Sequence, residues 1–123
     1  TMINNYSKAK VITPVKGKKY TKEQIIQMLI IYQLKNNLSI QEIKDLLTPI
    51  YENNDDLSNL YDHFIDIKHS LNSQLKKMIQ KIMDDYQLKI ENYQDLFLLV
   101  AILSSLSHSL TNIAEMLIET KEI

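Results

Sequence analysis

The sequence predicts a mainly helical protein of about five helices with one small β-hairpin. One glycine and two prolines among 123 residues leave few places for tight turns, which disfavours sandwiches and barrels. After residue 20 the apolar residues recur every three or four positions, which is the period of an amphipathic helix. With 45% hydrophobic and 24% charged residues, the chain can form a packed core.

The first two elements are predicted to be a short helix and the hairpin. Residues 2–8 are polar and fit a short helix, whereas residues 11–20 form two short extended stretches on either side of Gly17. Glycine readily takes the positive φ angle that hairpin turns require. We therefore predict a lysine-rich hairpin with its tip at Gly17.

Two capping boxes mark the starts of the next two helices. Thr21 is followed three residues later by Gln24, and Ser39 by Glu42, and each pair precedes an apolar periodic segment. The first of these helices is expected to end near Asn36. The proline and the polar run that follow the second helix suggest a boundary. We predict an N-terminal region at 1–52, a linker at 53–56 and a second helical region at 57–123.

Two long helices are predicted in the second region, over 57–86 and about 93–118. Residues 96–103 are apolar nearly all round, which predicts burial on every side. So few helices cannot surround that segment within one chain, so we predict a homodimer, although an intramolecular core stripe would also explain the periodicity. The predicted dimer interface consists of Leu71, Leu75, Met78, Ile82, Leu99, Leu103 and Leu106.

No enzymatic, metal or cofactor site is expected. The chain has no cysteine. Asp62, Asp66 and His69 share a helix face, but two carboxylates with one histidine fit a solvated acidic face better than a metal site. His108 lies among serines without the sharp turn that a hydrolase nucleophile needs. A small-effector pocket between Leu99, Ser105, His108 and the preceding long helix is a minor alternative, and no effector can be named.

The sequence predicts a cytoplasmic protein without a membrane partner. No charged segment precedes an apolar run at the N-terminus, so we expect no signal peptide. The most apolar run, residues 96–103, is eight residues long, whereas a membrane-spanning helix needs about 20.

Charge is distributed unevenly, and this asymmetry suggests a polyanionic partner. Residues 1–35 contain seven lysines and one acidic residue, and residues 36–123 contain seven lysines and fourteen acidic residues. Lysines can contact DNA phosphates, asparagine can pair with adenine edges, and a tyrosine hydroxyl can bond a phosphate. Helix and basic hairpin together are typical of winged helix-turn-helix proteins. The predicted DNA-contacting residues are Asn4, Asn5, Tyr6, Lys8, Lys16, Lys18, Lys19 and Tyr20.

An alternative explains the same N-terminal residues without DNA. Tyr6 and Tyr20 would be aromatic residues at the edge of the core, and the lysines would only keep the protein soluble.

An ordered set of short motifs adds a resemblance. Over roughly residues 1–50, the order and spacing of four motifs resemble the MerR-type DNA-binding domain. The motifs are Ile3-Asn-Asn-Tyr6, Val11-Ile-x-Pro14, Lys19-Tyr-Thr21 and Leu38-Ser-Ile-x-Glu-Ile43. Closer still, they resemble a bacterial family of MerR-like proteins, known as a domain of unknown function and found mainly in Firmicutes.

The resemblance implies a transcriptional regulator that binds DNA as a homodimer. It places Tyr6 at a phosphate-contacting position of the recognition helix, and Lys18, Lys19 and Tyr20 on the wing. Asn4 and Lys10 replace an arginine and a glycine that are usual in the family, and the first helix of the motif would precede Thr1. The alternative function is a protein–protein interaction or assembly module that keeps the scaffold without binding DNA.

Overall fold

A computed structural model describes residues 2–14, 17 and 19–122. The described residues form five helices: α1 (Met2–Lys8), α2 (Lys22–Leu34), α3 (Ile40–Glu52), α4 (Leu57–Asp85) and α5 (Tyr93–Thr120). The helices predicted from periodicity and capping are confirmed, with ends that differ by a few residues.

Both predicted capping boxes form. The Thr21 hydroxyl accepts a hydrogen bond from the Gln24 backbone N–H at 3.1 Å, and Gln24 Oε1 accepts one from the Thr21 N–H at 2.9 Å. Ser39 and Glu42 make the same reciprocal pair at 3.1 and 2.8 Å. The Ser39 backbone N–H lowers the pKa of the Glu42 carboxyl, because the hydrogen bond favours its charged form. These bonds satisfy N–H groups that the first turn of a helix leaves without partners.

The prediction of a β-hairpin wing at residues 11–20 is wrong. No strand occurs among the described residues, and residues 11–14, 19 and 20 of this segment have no ladder partner. Gly17 does take a positive φ of 80° within a turn, as expected. The predicted wing residues Lys16 and Lys18 lie outside the described residues.

Side chains take the hydrogen bonds that a second strand would have made. The Thr13 backbone N–H donates to Gln27 Oε1 at 2.9 Å, and Gln24 Nε2 donates to the carbonyls of Thr13 and Pro14 at 3.0 and 2.8 Å. The Tyr51 hydroxyl donates to the Val11 carbonyl at 2.7 Å. Because α2 and α3 satisfy these backbone groups, the segment needs no strand partner.

The chain divides into two compact units. Unit 1 comprises Thr1–His63 and Ala114–Ile123, and unit 2 comprises Phe64–Ile113. The domain boundary predicted at 53–56 stays a prediction. Unit 1 contains a buried apolar cluster to which α1, α2, α3 and the segment after α1 contribute: Tyr6, Val11, Ile12, Ile31, Ile43 and Leu47.

A Schellman motif ends α1. The Val11 N–H donates to the Tyr6 carbonyl at 3.0 Å and the Lys10 N–H to the Ser7 carbonyl at 3.0 Å, with Lys10 at a φ of 62°. Tyr6 and Val11 belong to the buried cluster, so the motif turns the chain directly into the core.

Unit 2 consists of parts of α4 and α5 and the short connection at residues 86–92. Asn92 Oδ1 accepts from the Asp95 N–H at 2.8 Å, while Asp95 Oδ2 accepts from the Lys89 N–H at 2.7 Å. The Lys89 N–H is the main reason that the pKa of Asp95 is lowered. A connection this short joins antiparallel neighbouring helices.

Candidate nucleic-acid interface and apolar surfaces

Helix α1 has a polar face and a buried face. Asn4, Asn5 and Lys8 are exposed, and helical spacing places Asn4 and Lys8 on the side opposite to Tyr6. Tyr6 is 6% exposed within the core of unit 1. Tyr6 therefore packs in the core with little of its side chain accessible, and the DNA contact predicted for it stays a prediction.

Other predicted DNA-contacting residues follow α1. Lys19 and Tyr20 are exposed just before α2, and Tyr20 is 46% exposed. Lys10 and Lys22 are exposed as well and belong to the same unit. The described part of unit 1 therefore exposes two asparagines and four lysines among its first 22 residues.

The residues that hold this segment were not predicted as functional. Gln24 and Gln27 are 3% and 0% exposed, and both bind backbone groups of the segment after α1. Gln27 Nε2 has no hydrogen-bond partner among the described residues. The sequence signal for Gln24 was its place in the capping box. Nothing in the periodicity indicated that the same amide also binds Thr13 and Pro14.

The predicted dimer residues differ in their accessibility. Leu71, Leu75 and Met78 are 50%, 49% and 41% exposed, and Leu106 is 38% exposed, while Ile82 and Leu103 are half-buried. Leu99 is 6% exposed, so its own chain covers it and little of its side chain is accessible to a second copy.

The apolar segment 96–103 is not buried on every side by this chain. Phe97, Leu98, Val100 and Ile102 are all at least 45% exposed. A groove of about 390 Å³ follows one face of α5 and is lined by Tyr93, Leu96, Phe97, Val100, Ala101 and Ser104. These residues differ from the predicted effector-pocket residues Leu99, Ser105 and His108.

Helix α5 has 28 residues and is long and apolar enough to cross a membrane, judged by length and composition only. The eight-residue estimate from the sequence was therefore too short. One such helix is weak evidence, since core helices of soluble proteins pass the same test.

The described residues contain no group of three or more His, Cys, Asp or Glu residues that could hold a metal ion. Asp62, Asp66 and His69 are exposed on α4. His108 is exposed on α5.

Residues 1–64 match the family model of the domain of unknown function DUF1836. The chain belongs to this family. The DUF1836 region contains α1, α2, α3 and the start of α4, and so includes the buried cluster and the exposed α1 residues. The match specifies neither a function nor a source. No curated protein and no solved structure matches the chain.

Proposed function

We propose that this chain is part of a DNA-binding transcriptional regulator that works in the cytoplasm as a homodimer. The proposal rests on the exposed polar face of α1, where Asn4, Asn5 and Lys8 lie outside the buried cluster. The likeness to MerR-type regulators over residues 1–50 supports α1 as the recognition helix. The proposal does not include a wing.

The chemistry of these side chains suits a DNA groove. An asparagine amide can donate to and accept from an adenine edge, which gives sequence preference. Lysines at positions 8, 10, 19 and 22 are exposed in the same unit and can neutralise phosphates. α1 ends in a Schellman motif, and the residues that follow it are hydrogen-bonded to α2 and α3. These bonds hold the C-terminal end of α1 in place within unit 1.

One observation favours the alternative of a protein–protein assembly module. Unit 2 exposes many apolar side chains on both helices, and such surfaces often bind proteins. The alternative needs no DNA contact from α1. DNA binding and its salt dependence therefore distinguish the two functions.

The test is a gel-shift titration with genomic DNA fragments at several salt concentrations, using the protein as its gene encodes it. We expect the affinity to fall steeply as salt rises. Lys8→Gln and Lys19→Gln should each weaken binding and lower the slope of log affinity against log salt by about 2, because each substitution removes one phosphate contact from both protomers of the dimer. Asn5→Ala should reduce the preference for the best fragment while leaving the salt slope unchanged.

Two lysines of α4 provide the matched control. Lys76→Gln and Lys77→Gln remove the same charge from exposed positions of unit 2 and should leave the slope unchanged. A protein that shows no affinity for DNA at low salt would contradict the regulator, and the assembly module would take its place.

A further inference from the structure

The chain exposes more surface than a monomer of its mass normally does. Its accessible surface is 9637 Å². A folded monomer of 14.4 kDa is expected to expose about 6,800 Å², which leaves an excess of about 2,800 Å². Each partner in a standard protein interface contributes about 800 Å². The excess is therefore large enough for a stable interface.

Part of this surface is a regular apolar face on unit 2. On α4, apolar side chains recur at intervals of four, four and three residues, and on α5 they recur every four residues, so each set lies on one side of its helix. All are between 38% and 50% exposed. We call the two sets together the self-association face: Ile67, Leu71, Leu75, Met78, Leu98, Ile102 and Leu106.

We propose that two copies of this chain pair through the self-association face and form a four-helix bundle. Two antiparallel helices form half of such a bundle, and a second identical pair supplies the other half through a two-fold axis. The face contains no charged residue, so a second copy adds no like-charge repulsion within it. Leu99 takes no part because it is already buried within its own chain.

A second copy fits the composition of α4 better than a lipid bilayer does. Asp66, Lys76 and Lys77 are exposed on the same helix and in the same unit as the face. Charged side chains are costly within the hydrocarbon of a bilayer, whereas the outside of a soluble bundle leaves them in water. α5 alone has the composition of a membrane span, so membrane binding is an outcome that the test includes.

The inference rests on the proposed function in one respect only, which is the use of the dimer. If the chain binds DNA, a two-fold dimer would present two copies of α1 to a two-fold-related DNA site. The interface itself can be measured without DNA. We expect sedimentation equilibrium of the full chain to give a dimer at micromolar concentration.

Charge substitutions test which face makes the dimer. Leu71→Glu and Ile102→Glu should each raise the dimer dissociation constant by about 100-fold or more, because each substitution enters a symmetric interface twice. Ser73→Glu places the same residue on another side of α4 and should leave the constant unchanged. Circular dichroism checks that each variant keeps its helices.

Chemical cross-linking tests the same face without adding charge. The chain has no cysteine, so single substitutions give unique attachment points. Leu71→Cys or Leu75→Cys, treated with a short bis-maleimide, should give covalent dimers, and Ser73→Cys should not. These variants also cover the case in which a glutamate variant fails to fold.

Three results would overturn the inference. The wild-type chain could be a monomer at micromolar concentration, the variants of the face could dimerise as well as Ser73→Glu, or monomers could float with phosphatidylcholine vesicles. Dimers without DNA affinity would contradict the proposed function alone. DNA binding by a chain that stays monomeric would contradict this inference and the homodimer of the proposed function, and would leave the proposed DNA binding standing.

Discussion

Tyr51 links the end of α3 to the segment that follows α1. Its hydroxyl donates to the Val11 carbonyl at 2.7 Å, and Val11 is 1% exposed. A buried carbonyl that loses its donor keeps the cost of desolvation without the compensating bond. A single side chain 40 residues away in sequence therefore helps to position the chain just beyond the proposed recognition helix.

Tyr51→Phe should lower the free energy of unfolding by about 1–2 kcal/mol, because it removes this donor and little else. Urea unfolding followed by circular dichroism measures the change. Tyr32→Phe is the matched control, since Tyr32 is 60% exposed, and the change there should be close to zero. Equal effects of the two substitutions would show that the Val11 bond contributes nothing.

The same residue predicts how stability depends on alkaline pH. Burial, with a smaller contribution from Glu23, raises the pKa of Tyr51 above its ordinary value of 10.0. Above that pH the unfolded chain releases the phenol proton while the folded chain keeps it, so stability falls as pH rises. Wild type should therefore lose more stability than Tyr51→Phe between neutral pH and pH values above about 10, as measured by urea unfolding across that range.

At the scale of elements, helix ends in this chain use the left-handed conformation without glycine. Lys10, Asn54 and Gln87 have φ angles of 62°, 54° and 56° just after α1, α3 and α4. Glycine takes this conformation at no steric cost, so a side chain at these positions costs stability.

Lys10→Gly and Gln87→Gly should each raise the free energy of unfolding by roughly 0.5–1 kcal/mol, because glycine relieves the strain of a positive φ. Thermal unfolding measures the shift. Ser73→Gly, in the interior of α4, is the control and should lower stability by up to about 1 kcal/mol. If Lys10→Gly and Gln87→Gly destabilised the protein like Ser73→Gly, the positive φ angles would carry no strain.

The elements differ in how well local sequence predicts them. Thr21 and Ser39 were predictable as helix caps because the partner of each lies three residues away. The conformation of the segment from Val11 to Pro14 was not predictable, since the side chains that bind its backbone are 10 to 40 residues distant in sequence. Extended residues with a turn glycine fit a hairpin equally well until those side-chain partners are known. Tertiary contacts therefore decided the conformation that the local pattern left open.

The same distinction applies to the candidate sites. Exposure of Asn4, Asn5 and Lys8 followed from the polar face of a short helix. The burial of Tyr6 and Leu99 did not follow from the sequence, because burial depends on which elements pack against a residue. Periodicity identifies an apolar stripe, but it does not distinguish a stripe covered by the same chain from one left for a partner.

At the scale of the whole molecule, the two units differ in how they are stabilised. Unit 1 has a buried apolar cluster of six residues, whereas Leu99 is the only fully buried side chain among the described residues of unit 2. Helices with so few buried contacts open easily, and their amides exchange with solvent quickly. Pairing of two copies would supply the missing burial to unit 2 alone.

Hydrogen exchange at two protein concentrations therefore gives a spatially resolved prediction. Diluting the protein from well above to well below its dimer dissociation constant should speed amide exchange about tenfold or more at residues 64–113. The reason is that binding of a second copy stabilises only the residues that it covers. Peptides from α2 and α3 should exchange at the same rate at both concentrations and form the internal control. Leu71→Glu should show the fast exchange in unit 2 at every concentration. If residues 64–113 were equally protected from exchange at both concentrations, α4 and α5 would be stable within a single chain. No second copy would then be needed to stabilise them.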